Sequence, residues 1–391
     1  MSLAKTVQEE MTRASWIRRM FEHGNELRRR YGADQVFDFT LGNPVLEPPQ
    51  EIFDALRDLG ERRTEGLHRY MTNAGFPKLR ASVAQALSGS FPGMTANHVV
   101  MTTGAAGALN VVFKTILDPG DEVVTLVPYF AEYMFYCKNH GGVPTLCETA
   151  PDFDLDMGAL ARAITPKTRA VLINSPNNPT GRVYPKTSLE ALGALLRERE
   201  AAYGHPIYLV SDEVYREIVY IEDAPPSPAS FHPHSFIVYS WSKSLSIPGD
   251  RLGYAAVSPG CEDAAALFDG MVFANRTLGF INAPATVQLA VLAALGAAPN
   301  VEWYRKRRDV LLVALRELGL SVHVPEGTFY LFPSSPEADE MPFIERALQE
   351  RLLLVPGSGF GRKGHFRLSY TVDDQTLEGG LRALARALGR A

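Results

Sequence analysis

Between residues 98 and 257 short apolar runs recur along the chain: His98–Thr102, Glu122–Val127, Ala170–Asn174, Ile207–Ser211, Phe236–Ser240 and Ala255–Val257. None alternates strictly between apolar and polar residues. Such runs expect burial on both faces, which a chain achieves in a largely parallel sheet covered by helices. Stretches with helical spacing, 105–116, 156–163 and 189–200, lie between them and complete a βα alternation. Sheets of this kind bind ligands beyond the carboxyl ends of their strands. The residues just after each run are therefore the first places to look for chemistry.

The flanks read differently. After residue 285 a helix (285–295) leads into a charged helix (301–318). Strand-like pieces follow at 321–324, 327–332, 352–355 and 366–370, and the chain closes on a helix at 377–388. Residues 5–30 read as an amphipathic helix, with Trp16, Ile17, Met20, Phe21 and Leu27 at helical spacing and arginines elsewhere, an arm able to pack on a partner subunit. The expected fold class is α/β: a large domain with a mostly parallel, seven-stranded-type sheet covered by helices, plus a smaller α+β domain drawn from both chain ends. The expected boundaries are an N-terminal arm with part of the small domain at 1–45, the large domain at 46–285 and the small C-terminal domain at 286–391.

Composition narrows the function. With 46% hydrophobic residues in 391, the chain can bury a large core, which excludes disorder. A net charge of −5 offers no basic field for nucleic acid or an anionic membrane. Cys137, Cys147 and Cys261 form no C-x-x-C pair and read as small buried hydrophobes, so neither a disulfide framework nor a metal is expected. No apolar run reaches the roughly 18 residues of a membrane span. The start lacks a signal-peptide core, and Glu9, Glu10 and Glu22 speak against a transit peptide. A cytoplasmic location is expected.

Five segments carry candidate chemistry. Lys243, in Ser240-Trp241-Ser242-Lys243-Ser244, follows a buried strand and precedes Arg251. Desolvation and nearby cations favour the neutral amine that forms Schiff bases. Asp212, in Ser211-Asp212-Glu213-Val214-Tyr215, stands where a buried carboxylate could keep a pyridine ring protonated; Tyr215, if that segment is helical, shares its side. In Asn174-Ser175-Pro176-Asn177-Asn178-Pro179-Thr180-Gly181, Asn178 offers an amide at a strand end. Gly104, Ala105 and Ala106 open a helix through small residues that would let a phosphate reach free backbone N–H groups. Arg367 interrupts the run Phe366-Arg367-Leu368-Ser369-Tyr370 and suits a carboxylate in bidentate fashion. Each alone has a bland explanation: surface lysine, turn cap, proline-built turn, tight helix–sheet packing, edge-strand arginine.

In order, from Gly42 to Tyr370, these segments resemble the fold-type I pyridoxal-phosphate-dependent aminotransferases, class I/II, the aspartate aminotransferase-like family. The Asn-Pro-Thr-Gly turn, the Ser-Asp-Glu-Val-Tyr segment and the Ser-x-Ser-Lys segment followed by Arg are together highly specific. The resemblance implies pyridoxal 5′-phosphate held by the large domain as an aldimine on Lys243, which also shuttles protons, and Asp212 paired with the ring nitrogen. It implies Tyr215 and Asn178 on the phenolic oxygen and Phe130, in Pro128-Tyr129-Phe130, stacked on the ring. Ser240, Ser242, Arg251 and the amides of Ala105 and Ala106 would hold the phosphate. Arg367 would bind the substrate α-carboxylate, with Asn178 nearby and Gly42 lining the pocket. Tyr70, in Tyr70-Met71-Thr72-Asn73-Ala74-Gly75, would reach the neighbouring subunit's phosphate, which implies a homodimer with shared active sites. Gly357-Ser358-Gly359-Phe360-Gly361 mimics a nucleotide loop but follows Val355-Pro356 rather than opening a βαβ unit.

The implied reaction is ping-pong transamination between an L-amino acid and a 2-oxo acid. A β-C–S lyase or decarboxylase would use the same residues. A ligand-sensing module of a transcription regulator would need a DNA-binding domain ahead of the fold, and fewer than about fifty residues before the large domain are expected to be too few for that module plus the small-domain portion. The chain departs from the family at three places. The phosphate loop reads Ala105-Ala106 where a hydroxyl or lysine is common. Phe130 stands in place of the tryptophan of dicarboxylate-specific relatives. Their second-carboxylate arginine has no clear match, Arg276 being a candidate by rough position only. Phe130 and the missing second arginine tilt the expected donor from aspartate toward neutral or aromatic amino acids.

Overall fold

The structure is a computed structural model that describes residues 3–13, 15–63 and 65–390, without the side chains of residues 6, 9 and 12–22. Its twelve strands are β1 (Phe37–Asp38), β2 (Val99–Thr102), β3 (Glu122–Val127), β4 (Val143–Glu148), β5 (Thr168–Asn174), β6 (Tyr208–Asp212), β7 (Ser235–Ser240), β8 (Gly253–Val257), β9 (Tyr330–Leu331), β10 (Leu352–Leu353), β11 (Val355–Pro356) and β12 (Phe366–Ser369). Seven form one sheet in the order β2-β8-β7-β6-β5-β3-β4. β8 runs antiparallel to both its neighbours, and the other pairings are parallel.

Burial on both faces explains why the central runs do not alternate. Along β5, Ala170 and Leu172 enter one core while Val171 and Ile173 enter another. Along β6, Tyr208 and Val210 face the first core and Leu209 the second. Helices Gly104–Ile116, Met157–Ala163 and Lys186–Tyr203 supply the cover. The edge strand β4 was absent from the sequence reading. It leaves Val143 and Leu146 exposed and carries Pro144, which an edge tolerates, so it lacks the dense apolar signature of its neighbours.

The second unit draws on both ends of the chain. β1 pairs with β10, and β11-β12-β9 form a small antiparallel sheet. Phe39 joins Tyr304, Leu311, Leu315, Phe343, Phe366 and Leu384 in one core. Residues 321–324 do not form the strand expected there; they are only partly buried and lie along no partner strand. In the helix expected at 5–30, Lys5–Arg13 and Ser15–Tyr31 are helical, and residue 14 between them lies outside the described residues. The side chains of Trp16, Ile17, Met20 and Phe21 lie outside the described residues, and Leu27 is half-buried.

The sheet brings the ends of β2, β5, β6 and β7 to one edge, and the start of β8 joins them because that strand runs backwards. Gly253 pairs with Thr102 on one side and Ser240 on the other. A Cβ there would lie 2.4 Å from the Tyr239 carbonyl oxygen and 2.9 Å from the Gly104 backbone. Gly253→Ala must therefore push these ends apart. It is expected to cost about 1–3 kcal/mol by overpacking, seen as a lower thermal midpoint; an unchanged midpoint would contradict the close approach.

Candidate active site

At this edge opens a cleft of about 360 Å3 between the large sheet and the small unit. Lys243, Asp212, Tyr215, Asn178, Ser240, Ser242, Arg251, Ala105, Ala106, Phe130, Gly42 and Arg367 all line it. Gly104 lies just behind, against Arg251. Tyr70 is not in the cleft: it is 91% exposed on the surface, beside Leu67 and Asn282. Arg276 is also exposed, over the Phe273 ring at 5.5 Å.

Lys243 sits in a single helical turn, Trp241–Ser244, directly after β7. Its Nζ donates to the Gly42 carbonyl at 2.7 Å and lies 5.7 Å from the Phe329 ring centre. Burial, aided by Arg367 and then Arg251, lowers the ammonium from 10.5 to about 8, while Asp212 opposes the shift. Gly42 permits this geometry because a Cβ there would fall 1.6 Å from the Tyr330 hydroxyl.

Asp212 ends β6. Its Oδ2 accepts a 2.6 Å hydrogen bond from the buried Tyr133 hydroxyl. Its Oδ1 is buried without a partner. Burial raises the carboxyl to about 6 against the hydrogen bond from Tyr133. The neighbouring strand end is tied to it: Asn174 Nδ2 donates to the Asp212 carbonyl at 2.9 Å, and Asn174 Oδ1 accepts from the Asn178 N–H at 2.7 Å. Tyr215 lies in a turn rather than a helix, and its hydroxyl is 3.1 Å from that of Tyr330. Phe130 packs edge-on against Tyr133 at 5.5 Å.

One end of the cleft is an anion cradle. The N-cap Thr103 makes no side-chain bond to helix Gly104–Ile116, so the first N–H groups remain available to a ligand. Ser240 and Ser242 share a 2.7 Å hydroxyl contact beside them. Arg251 stands opposite, its Nη2 3.0 Å from where a Gly104 Cβ would be. At the other end, Arg367 donates to Asn178 Oδ1 at 2.9 Å and to the Thr40 carbonyl at 2.6 Å. Its guanidinium lies between the Tyr330 and Phe360 rings, 4.4 and 4.7 Å from their centres, and its Nε is buried without a partner.

Sequence reasoning missed Tyr133, Glu132, Tyr330 and Phe360. Tyr133 comes three residues after Phe130, a spacing that could have flagged it. Phe360 lies within the glycine-rich stretch, which forms a 3-10 turn after β11 and opens no βαβ unit.

With this geometry in place, comparison with known proteins is decisive. Residues 34–384 match the family described as aminotransferase class I and II. The chain belongs to that family. This aminotransferase is 38% identical over 378 residues to the aspartate/prephenate aminotransferase of Thermus thermophilus, covering 93% of each chain. It is 32% identical over 400 residues to the aspartate aminotransferase of Geobacillus stearothermophilus, covering 97% of this chain and 96% of the relative. Among solved structures it resembles an amino transferase from Eubacterium rectale, with a TM-score of 0.95 at 33% identity, covering 100% of this chain and 99% of that one. It also resembles the Thermus thermophilus aspartate aminotransferase with maleate, with a TM-score of 0.86 at 33% identity, covering 99% and 100%. The enzyme is thus a transferase that exchanges an amino group between amino and 2-oxo acids. Among the described residues, no helix is long and apolar enough to cross a membrane.

The lowered Lys243 ammonium makes a measurable difference. An amine is neutral above its pKa, so in the protein without cofactor Lys243 should react with a small amine-directed reagent with a midpoint near pH 8. Arg367→Gln removes a cation, favours the charged amine and should move that midpoint upward. A wild-type midpoint near the ordinary lysine value, located by peptide mass, would contradict the cationic surroundings.

Proposed function

We propose that the aminotransferase works with pyridoxal 5′-phosphate attached to Lys243, and that the cleft divides its labour along its length. The observation that carries this reading is the buried, unpartnered Oδ1 of Asp212, in the same cleft as a half-buried lysine and an open anion cradle. An isolated buried carboxylate oxygen is costly, and a protonated pyridine nitrogen is a fitting donor. The cofactor, when bound, supplies an aldehyde for amines and a ring that accepts the electrons released at the substrate Cα.

The residues then take separate tasks. Ser240, Ser242, Arg251 and the first N–H groups of helix Gly104–Ile116 hold the phosphate. Asp212, kept in place by Tyr133, holds the proton of the ring nitrogen. Asn178 and Tyr215 face the phenolic oxygen, and Phe130 covers the ring. Arg367 grips the substrate α-carboxylate, its planar fork held by Asn178, Thr40 and two aromatic faces. Once the substrate's amine has displaced it, Lys243 Nζ would be free to take the proton from Cα as general base and to hand it on within the cleft, so that no proton is lost to solvent. The two half-reactions alternate on one site, which is a ping-pong sequence.

We further read residues 46–285 as the cofactor-binding domain, with the small domain built from 1–45 and 286–391. The enzyme is a homodimer in this reading. Tyr70, almost fully exposed here, serves the partner subunit's phosphate. The three cysteines are free and buried, in keeping with a cytoplasmic enzyme.

Two substitutions test the division. Lys243→Ala should abolish the borohydride-fixable attachment of the cofactor and its near-visible absorbance. Wild-type protein whose absorbance ignores borohydride would refute the attachment. Arg367→Ala should weaken amino-acid binding by about 1.5–3 kcal/mol, the range of hydrogen bonds to charged groups, with far less effect on cofactor retention. Equal loss of both would contradict its place on the substrate side.

A further inference from the structure

Two carboxylates line the cleft, Asp212 and Glu132. The reaction proposed above employs the first and leaves the second idle. Glu132 stands two residues after Phe130 and caps the start of the short helix Tyr133–Lys138 without a side-chain capping bond. Its Oε2 is buried and has no hydrogen-bond partner. Among the described residues, no side chain donates to this carboxylate or forms an ion pair with it. Burial raises its pKa, with its own backbone N–H and the charge of Arg367 opposing.

The surroundings explain what such a group can do. Leu41, Tyr136, Val214 and Phe360 supply apolar or phenolic walls around the same space. The cations that line the cleft are Lys243, Arg251 and Arg367, and the proposed reaction engages all three at the α-amino, phosphate and α-carboxylate positions. Among the described residues, no fourth cation lines the cleft to meet a second substrate carboxylate. A carboxylate at the far end of a substrate side chain would face Glu132 as a like charge. An ammonium or amide would instead fill the vacant acceptor.

We propose that Glu132 reads the end of the donor's side chain, favouring an L-amino acid that ends in a hydrogen-bond donor, an ammonium above all, over one that ends in a carboxylate. This rests on the transamination reading and names the substrate class of the same site. Discrimination has two parts: a satisfied buried acceptor for the right side chain and like-charge repulsion of the wrong one.

The test uses the cofactor-loaded enzyme, wild type and Glu132→Gln. Each is titrated with the 2-methyl derivatives of ornithine, aspartate and norvaline, which have no α-proton to lose and so report binding alone. Wild type should bind the ornithine derivative at least about tenfold tighter than the aspartate derivative, and Glu132→Gln should narrow that ratio about tenfold, the scale of one charged hydrogen bond. Glu132→Asp should recover part of the preference. The norvaline derivative should shift less than either charged ligand. A ratio unchanged in Glu132→Gln overturns the proposal, as does a wild-type preference for the aspartate derivative. Because each ratio is taken within one protein, partial loss of fold cancels. The parent amino acids and L-alanine are then mixed with the wild-type enzyme. If none is converted although they bind, the transamination reading fails, while the binding ratio still decides the role of Glu132.

Discussion

The chemistry of this enzyme depends on one unfavourable placement: a lysine amine drawn out of bulk water into the field of two guanidinium groups. Lys243 would stay charged at neutral pH if it were free in solvent. Burial and the fields of Arg367 and Arg251 remove most of that preference, and the single opposing carboxylate, Asp212, does not cancel them. The same two arginines are assigned to the two anionic ends of the cofactor–substrate pair. Charges that prepare the nucleophile thus serve also to bind what it acts on. Anions arriving at both ends would weaken that field, so the balance at Lys243 changes with occupancy.

The support for this placement lies in the strand ends. Asn174 ties β5 to β6 through the Asp212 carbonyl, and Gly253 holds β8 close to β7 and β2. None of these contacts is chemical in itself. They fix where Asp212, Asn178 and Lys243 emerge, which is what a site assembled from separate segments requires. From the small unit, Tyr330 and Phe360 sandwich Arg367. Any shift of that unit would therefore move Arg367 relative to the anion cradle at the other end of the cleft.

Much of this was legible in the sequence because it was written as residue type at strand ends. The doubly buried strands betrayed themselves by apolar runs without alternation, and the polar residues after them stood out against that background. Lys243, Asp212 and Asn178 stood out in this way, and Arg367 as a charge inside an otherwise strand-like run. Tyr133 and Glu132 did not, because they stand beyond the loop that follows β3, where an aromatic or acidic residue is unremarkable. Edge strand β4 was missed because exposed Val143 and Leu146 and a proline dilute its signal. Residues 321–324 looked strand-like, yet beyond the Ser334 N–H donated to the Ser321 carbonyl they join no sheet. Tyr70 was singled out by its motif, but it stands exposed outside the cleft, and only the proposed dimer gives it a task.

The reversed direction of β8 has a consequence of its own. A parallel strand would have required the chain to cross to the opposite edge of the sheet and return through a helix. Here it turns back at once, and residues 241–252 form one short excursion whose two feet, Ser240 and Gly253, are paired neighbours. Lys243 and Arg251 both ride on it. In the proposed reading, Lys243 is the covalent anchor and Arg251 the ionic one, and both then belong to one short segment, so their spacing is inherited from a loop length rather than from the packing of distant elements. Length changes in that loop would detune both anchors together, whereas length changes in most other loops would spare them.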